Sequence, residues 1–154
     1  MIGSSKATTM ERVLVDTNVL VRLVQLSGIP DEELASMLGE YNVCTTFQNL
    51  AEFWSVATRR AVVNGLGLSI EAVSERVEKI RQVFEVLPDE PASLDIWVEI
   101  CKKYQVSGKR VHDARIVATA LANGVTVIAT RNHSDFQGFQ EVSMVDLKST
   151  ESRQ

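Results

Sequence analysis

Val13-Leu14-Val15-Asp16-Thr17-Asn18-Val19-Leu20-Val21-Arg22-Leu23-Val24-Gln25-Leu26 changes character at its fourth residue. Val13 to Asp16 is an apolar run closed by an acid and reads as a buried strand. Asn18 to Leu26 reads as a helix. A strand covered on both faces is apolar throughout instead of alternating. A second run of this kind, Val125-Thr126-Val127-Ile128-Ala129, lies near the other end of the chain.

Strand and helix signals alternate between these two runs. Pro30-Asp31 suits a helix start, and that helix runs to about Gly39 with Leu34, Met37 and Leu38 on one side. Asn42 to Thr45 is a short strand. Thr45 and Gln48 fit a capping box, so a third helix begins near Thr46. Its apolar stripe is Phe47, Leu50, Ala51, Trp54, Thr58 and Ala61. Asn64-Gly65-Leu66-Gly67 breaks it. Ser69 caps the next helix, with Ile70, Val73, Val77, Ile80 and Phe84 at helical spacing. Glu85-Val86-Leu87 is a strand. Pro91 starts a helix that turns Leu94, Trp97, Val98 and Cys101 inward. Ser107-Gly108 is a loop, and a helix from about Val111 to Asn123 ends at Gly124. Strands at 125–129 and 142–145 complete the chain.

Strands separated by helical crossovers pair in parallel. The expected fold is a three-layer α/β/α sandwich around a mostly parallel sheet. One domain spans residues 11–147. The small and polar residues 1–10, and the tail 148–154, are expected to be disordered.

Composition narrows the setting. No apolar run approaches the roughly 20 residues that cross a bilayer. No charged and apolar N-terminal pattern marks secretion. Cys44 and Cys101 form no CxxC pair and sit among apolar neighbours, which suits buried thiols in a reducing cytoplasm. The net charge of −4 argues mildly against broad electrostatic binding of nucleic acid, although Arg59-Arg60 and Lys109-Arg110 group basic charge locally.

Four acids carry the chemistry. Asp16 ends the first strand, Glu52 lies mid-helix, Asp113 opens a helix, and Asp135 follows the strand 125–129. Each has an ordinary explanation. Asp16 is placed to cap a helix, unless Asn18 does so and frees it. Glu52 shares a polar stripe with Gln48, Ser55 and Arg59. Asp113 stands at the positive end of its helix, on the line of Ile116, Val117 and Ala120. Asp135 sits in a polar loop. In an open α/β sheet, however, the functional crevice lies beyond the C-terminal strand ends, where one fold would gather all four. Gathered carboxylates repel unless a cation lies between them. Mg²⁺ and Mn²⁺ take such oxygen ligands and act on phosphate esters. No Ser–His or thiol–imidazole pair is evident, His112 and His133 read as surface or hydrogen-bonding residues, and no GxxxxGK[ST] loop marks an NTPase.

The segments Val13-Leu14-Val15-Asp16-Thr17-Asn18, Gln48-Asn49-Leu50-Ala51-Glu52-Phe53, His112-Asp113-Ala114-Arg115 and Ala129-Thr130-Arg131-Asn132-His133-Ser134-Asp135-Phe136 together resemble the PIN-domain family in order and spacing. The resemblance covers about residues 12 to 147 and is nearest to VapC toxins of toxin–antitoxin pairs. It implies a Mg²⁺- or Mn²⁺-dependent endoribonuclease acting on single-stranded or structured RNA. It implies Asp16 and Asp113 as principal metal ligands, with Glu52 and Asp135 completing the acidic site directly or through water. Thr130 and Asn132 match supporting positions, and Thr17 and Asn18 shape the floor. A homodimer and an antitoxin partner are implied as well.

Two other classes compete. A haloacid-dehalogenase-type phosphatase also begins with an Asp after a buried strand, but needs an acid two residues on, where this chain has Asn18. A non-catalytic RNA- or protein-binding module on the same fold is the alternative to the nuclease.

Overall fold

The computed structural model describes residues 10–25 and 32–146. The leader 1–9, Leu26, the helix start at Pro30-Asp31, the side chain of Leu34 and the tail 148–154 lie outside the described residues.

The elements run β1 (Arg12–Val15), α1 (Thr17–Gln25), α2 (Glu32–Glu40), β2 (Asn42–Thr46), α3 (Phe47–Thr58), a 3₁₀ turn at Ala61–Val63 and α4 (Ile70–Val83). They continue with β3 (Glu85–Leu87), α5 (Pro91–Lys103), α6 (Arg110–Ala122), β4 (Val127–Ala129), a 3₁₀ turn at His133–Asp135 and β5 (Ser143–Val145). The strands form one sheet in the order β3-β2-β1-β4-β5, and every pairing is parallel. β1 is central, with Leu14 opposite Cys44 on one side and opposite Ile128 on the other.

Alternation along β1 separates two cores. Val13 and Val15 face a cluster with Val19, Leu20 and Leu23 of α1, Met37 of α2, Phe53 and Ala57 of α3, and Val73 and Ile80 of α4. Leu14 faces the opposite cluster, with Ile100 of α5, Ile116, Val117 and Ala120 of α6, and the loop residues Phe136 and Phe139. Four helices therefore cover one face and two the other, which is the expected three-layer sandwich. α6 is buried nearly all round, and Ala114, Ala118 and Ala120 let it lie between the sheet and α5.

The topology dictates where a site can form. From β1 the chain moves toward β2 and β3. It then returns through α5 and α6 to β4, on the other side of β1, and moves away to β5. Strand order reverses between β1 and β4, so the loops leaving these two strands diverge and open a crevice.

Several helix faces differ from the periodicity reading. On α3 the buried face is Asn49, Phe53 and Ala57, while Phe47 is 72% exposed and Ala51 is exposed. On α5 the buried residues are Ser93 and Ile100, whereas Leu94 and Val98 are exposed and Trp97 and Cys101 half-buried. Ile70 of α4 is exposed too. An apolar residue in the first turn of a helix commonly overhangs the sheet edge, and spacing alone does not fix the rotation of a helix about its axis.

The caps follow local chemistry. Thr46, not Thr45, caps α3: its hydroxyl accepts from the Asn49 N–H at 3.1 Å. Thr45 is buried and donates to the Val15 carbonyl at 3.4 Å. Ser69 caps α4 by accepting from the Ala72 N–H at 3.1 Å. Ser69→Ala is expected to lower stability by about 1 kcal/mol, read as a shift of the urea midpoint at unchanged slope. Gly124 ends α6 at φ +75°, a left-handed turn that favours glycine. Cys44 is buried, Cys101 half-buried, and both are free.

Candidate active site

Asp16 follows β1 directly at the strand-order reversal. Its N–H donates to the Ala129 carbonyl at 3.0 Å, which continues the ladder with β4 by one residue. Its own carbonyl accepts from Val19 and Leu20 and so begins α1. The carboxylate is only 6% exposed. It accepts from the Thr130 hydroxyl at 3.2 Å, from the Asn49 side-chain amide at 3.3 Å and from the Thr17 N–H. Asn18, the other candidate cap, accepts instead from the Arg131 N–H at 3.3 Å. It thereby joins α1 to the loop after β4.

α3 brings the second acid. Glu52 accepts from the Thr17 hydroxyl at 3.2 Å and from the Gln48 amide at 3.0 Å. The same Gln48 nitrogen reaches the His112 carbonyl at 3.0 Å and so ties α3 to the first turn of α6. Arg59, read from sequence as the distant partner of Glu52, pairs with the Ser55 hydroxyl instead. Asp113 is in that first turn of α6, half-buried. Asp135 closes the 3₁₀ turn after β4, and its N–H donates to the Asn132 carbonyl at 3.0 Å. Asn132 is exposed, and its N–H donates to the Thr130 hydroxyl at 3.0 Å. His112 is exposed, and His133 Nε2 lies 2.7 Å from Asp146 Oδ1.

The electrostatics couple the four acids. Burial pushes the Asp16 carboxyl up to about 6. Hydrogen bonds from Thr17 and Thr130 oppose this, and the charges of Glu52 and Asp135 add to it. Burial likewise raises Asp113 to about 6, with Asp135, Asp16 and Glu52 repelling its charge and Arg110 offsetting part of it. Four segments far apart in sequence thus place their negative charge within mutual range.

Whether these groups suit a divalent ion is a matter of donor chemistry. All the donors are hard oxygens: four carboxylates, the Thr17 and Thr130 hydroxyls, and amide oxygens. Among the described residues no three His, Cys, Asp or Glu side chains converge closely enough to cage an ion by themselves. That open arrangement suits Mg²⁺ or Mn²⁺, which take one or two carboxylates and keep several waters, better than an ion needing an all-protein cage. A cleft of about 520 Å³ opens over the site, between α3 and the start of α6, and reaches Glu52 and Asp113.

Asn49 is the member that sequence reasoning missed. It is fully buried, donates to Asp16 Oδ1 at 3.3 Å and to the Thr17 hydroxyl at 3.0 Å, and accepts from the Thr46 hydroxyl at 2.6 Å. The available signal was its position three residues after a helix-capping threonine, on the line of Phe53 and Ala57.

Comparison with known proteins follows the same outline. The family profile of the PIN domain matches residues 13–142. Among solved structures, the chain is similar to VapBC2 from Rickettsia felis bound to a DNA fragment from their promoter. The TM-score is 0.66 at 14% identity, covering 89% of this chain and 99% of that one. It is similar to DNA-bound VapBC from Salmonella typhimurium, with TM-score 0.68, 19% identity, and 90% and 100% coverage. A toxin–antitoxin complex from Klebsiella pneumoniae gives TM-score 0.59, 20% identity, and 85% and 95% coverage. Identities this low speak for the shared fold. No curated protein matches the chain.

Proposed function

The chain belongs to the PIN-domain family, and from that premise we propose that it is a Mg²⁺- or Mn²⁺-dependent endoribonuclease, the toxin of a toxin–antitoxin pair. The observation that carries this reading is the coupling of Asp16, Glu52, Asp113 and Asp135 at the reversal of strand order. Asp16 and Asp113 would hold the ion, with Glu52 and Asp135 joining directly or through water. A bound ion would acidify a water and offset the charge that develops on a phosphate. The chain's own contribution is positioning. Thr130, Asn49 and Thr17 fix the Asp16 carboxylate, while Gln48 and Thr17 hold Glu52 toward the cleft. There Glu52 is placed to take a proton from the attacking water. Thr17, Asn18, Thr130 and Asn132 support the floor through the bonds described above.

Asp113→Asn with Mn²⁺ is expected to lose more RNA cleavage than the roughly 10- to 100-fold typical of an outer-sphere partner, and chelation should abolish cleavage in the parent. Gel analysis of a labelled RNA reads both. Undiminished cleavage by Asp113→Asn sinks the assignment.

Binding should also release protons. With Asp16 and Asp113 titrating near 6, an ion must displace their protons at lower pH. Affinity for Mn²⁺ should therefore climb from pH 5 to about pH 7 and then level. Calorimetry in buffers of different ionisation heat measures it, and a flat profile contradicts the ligand set.

The alternative, a non-catalytic RNA- or protein-binding module on the same fold, draws support from the open spacing of the acids. It predicts no divalent-metal binding and RNA binding indifferent to chelator. The similar structures include a toxin–antitoxin complex and VapBC bound to DNA, which supports proposing an antitoxin partner and a homodimer here. The free thiols Cys44 and Cys101 fit a proposed cytoplasmic location. Among the described residues no helix is long and apolar enough to cross a membrane.

A further inference from the structure

Phe47 is the aromatic residue that the fold leaves unused. It is the first residue of α3, directly after the Thr46 cap, and is 72% exposed. The core side of that helix is filled by Asn49, Phe53 and Ala57, so Phe47 gives up the burial that a phenylalanine ordinarily contributes. Its ring lines the cleft. Phe47 and Ala51, one helical turn apart, belong to the α3 wall, and His112 and Arg115 to the α6 wall. Glu52 and Asp113 line the same cleft.

We infer that Phe47 is a stacking platform for an unpaired base of the RNA strand whose phosphate lies at Glu52 and Asp113. The inference rests on the ribonuclease reading and adds what that strand must look like. A base buried in a duplex keeps its faces against its neighbours, whereas an unpaired base offers a face to an aromatic ring whatever its identity. The surroundings of Phe47 favour this occupant over an aliphatic side chain from a protein. Apart from Ala51 its neighbours in the cleft are polar or charged, which suits a flat ring with polar edges. Arg115, held by Asp89 at 3.0 Å, and His112 supply hydrogen-bond donors for the sugar-phosphate backbone on the opposite wall. The platform therefore confers preference for single strands and loops without reading sequence.

The test measures binding apart from cutting. Asp113→Asn protein, full length, is titrated with a short labelled single-stranded RNA and with the same RNA annealed to its complement. Adding Phe47→Ala should weaken single-strand binding roughly 5- to 100-fold and leave duplex binding unchanged, and Phe47→Trp should restore it. Thermal melts of the Phe47 variants should match the parent, because the ring lies outside the core. Equal single-strand affinity with and without the ring overturns the platform, as does an equal loss on duplex. A Phe47→Ala protein that binds RNA normally but loses a protein partner also overturns it and marks a protein-docking surface. Failure of the nuclease reading looks different. The parent then cuts no RNA with Mn²⁺, whereas the single-strand dependence on Phe47 still tests the platform.

Discussion

Asp16→Asn should abolish RNA cleavage and, in the absence of metal, raise the melting temperature at pH 7.5. The two effects share one cause. The Asp16 carboxyl is buried among like charges, and its pKa rises from 3.8 to about 6. A raised carboxyl pKa means that the folded state binds the proton more tightly than the unfolded state. Below pH 3.8 both states are protonated and there is no penalty. Between 3.8 and about 6 the penalty grows, and above 6 it is fully present. A shift of about two units corresponds to at most about 3 kcal/mol, and the imperfect fit of an amide to the donors Thr17, Thr130 and Asn49 reduces the net gain to about 1–2 kcal/mol. Melts in chelator at pH 7.5 and pH 4 measure it: the variant should exceed the parent at the first and lose its advantage at the second. Excess Mn²⁺ should reverse the order at pH 7.5, because binding stabilises only the protein that binds. An Asn variant that is less stable at both pH values, or that still cuts RNA, contradicts the account.

Asn49→Ala should be costly in both respects. The change strips the amide from Asp16 and Thr17 and the acceptor from the Thr46 hydroxyl, all in a fully buried position. Each buried group left without a partner costs roughly 1–3 kcal/mol. Cleavage should fall roughly 10- to 100-fold, the range for removing a group that orients a metal ligand. Asn49→Asp is nearly isosteric but adds a fifth negative charge beside Asp16. It should be more destabilised at pH 8 than at pH 5, whereas the Ala variant should show no such slope. Urea denaturation at the two pH values reads the difference. An Asn49→Ala protein with parental stability and activity would reduce Asn49 to a bystander.

The strands were legible because their residues state their environment. Val13-Leu14-Val15 and Val127-Ile128-Ala129 are apolar on both faces and are indeed covered on both. Asp16, Asp113 and Asp135 were legible as candidates because each stands at a junction between a strand or loop and a helical turn, and parallel topology gathers such junctions. Helix rotation was less legible. Leu94, Val98, Phe47 and Ile70 keep helical spacing yet face solvent, while Ser93 is buried, its hydroxyl bonded to the Glu90 N–H. The cap of α3 came out one residue late for a similar reason. Two adjacent threonines offer the same hydroxyl, and the pairing of Thr46 with Leu87 decides which one ends the strand. Asn49 was not legible from chemistry, since a buried amide among apolar neighbours shows its partners only when distant segments arrive.

The central place of β1 also governs the order in which the molecule can be assembled. β1 leaves the ribosome first and can pair with β2 soon after, but its other partner, β4, is made more than a hundred residues later. Asp16 acquires the Thr130 hydroxyl, and the company of Asp113 and Asp135, only once that last segment docks. A nascent or truncated chain lacking β4 therefore holds two of the four acids and no crevice, so the site comes into being in a single late step.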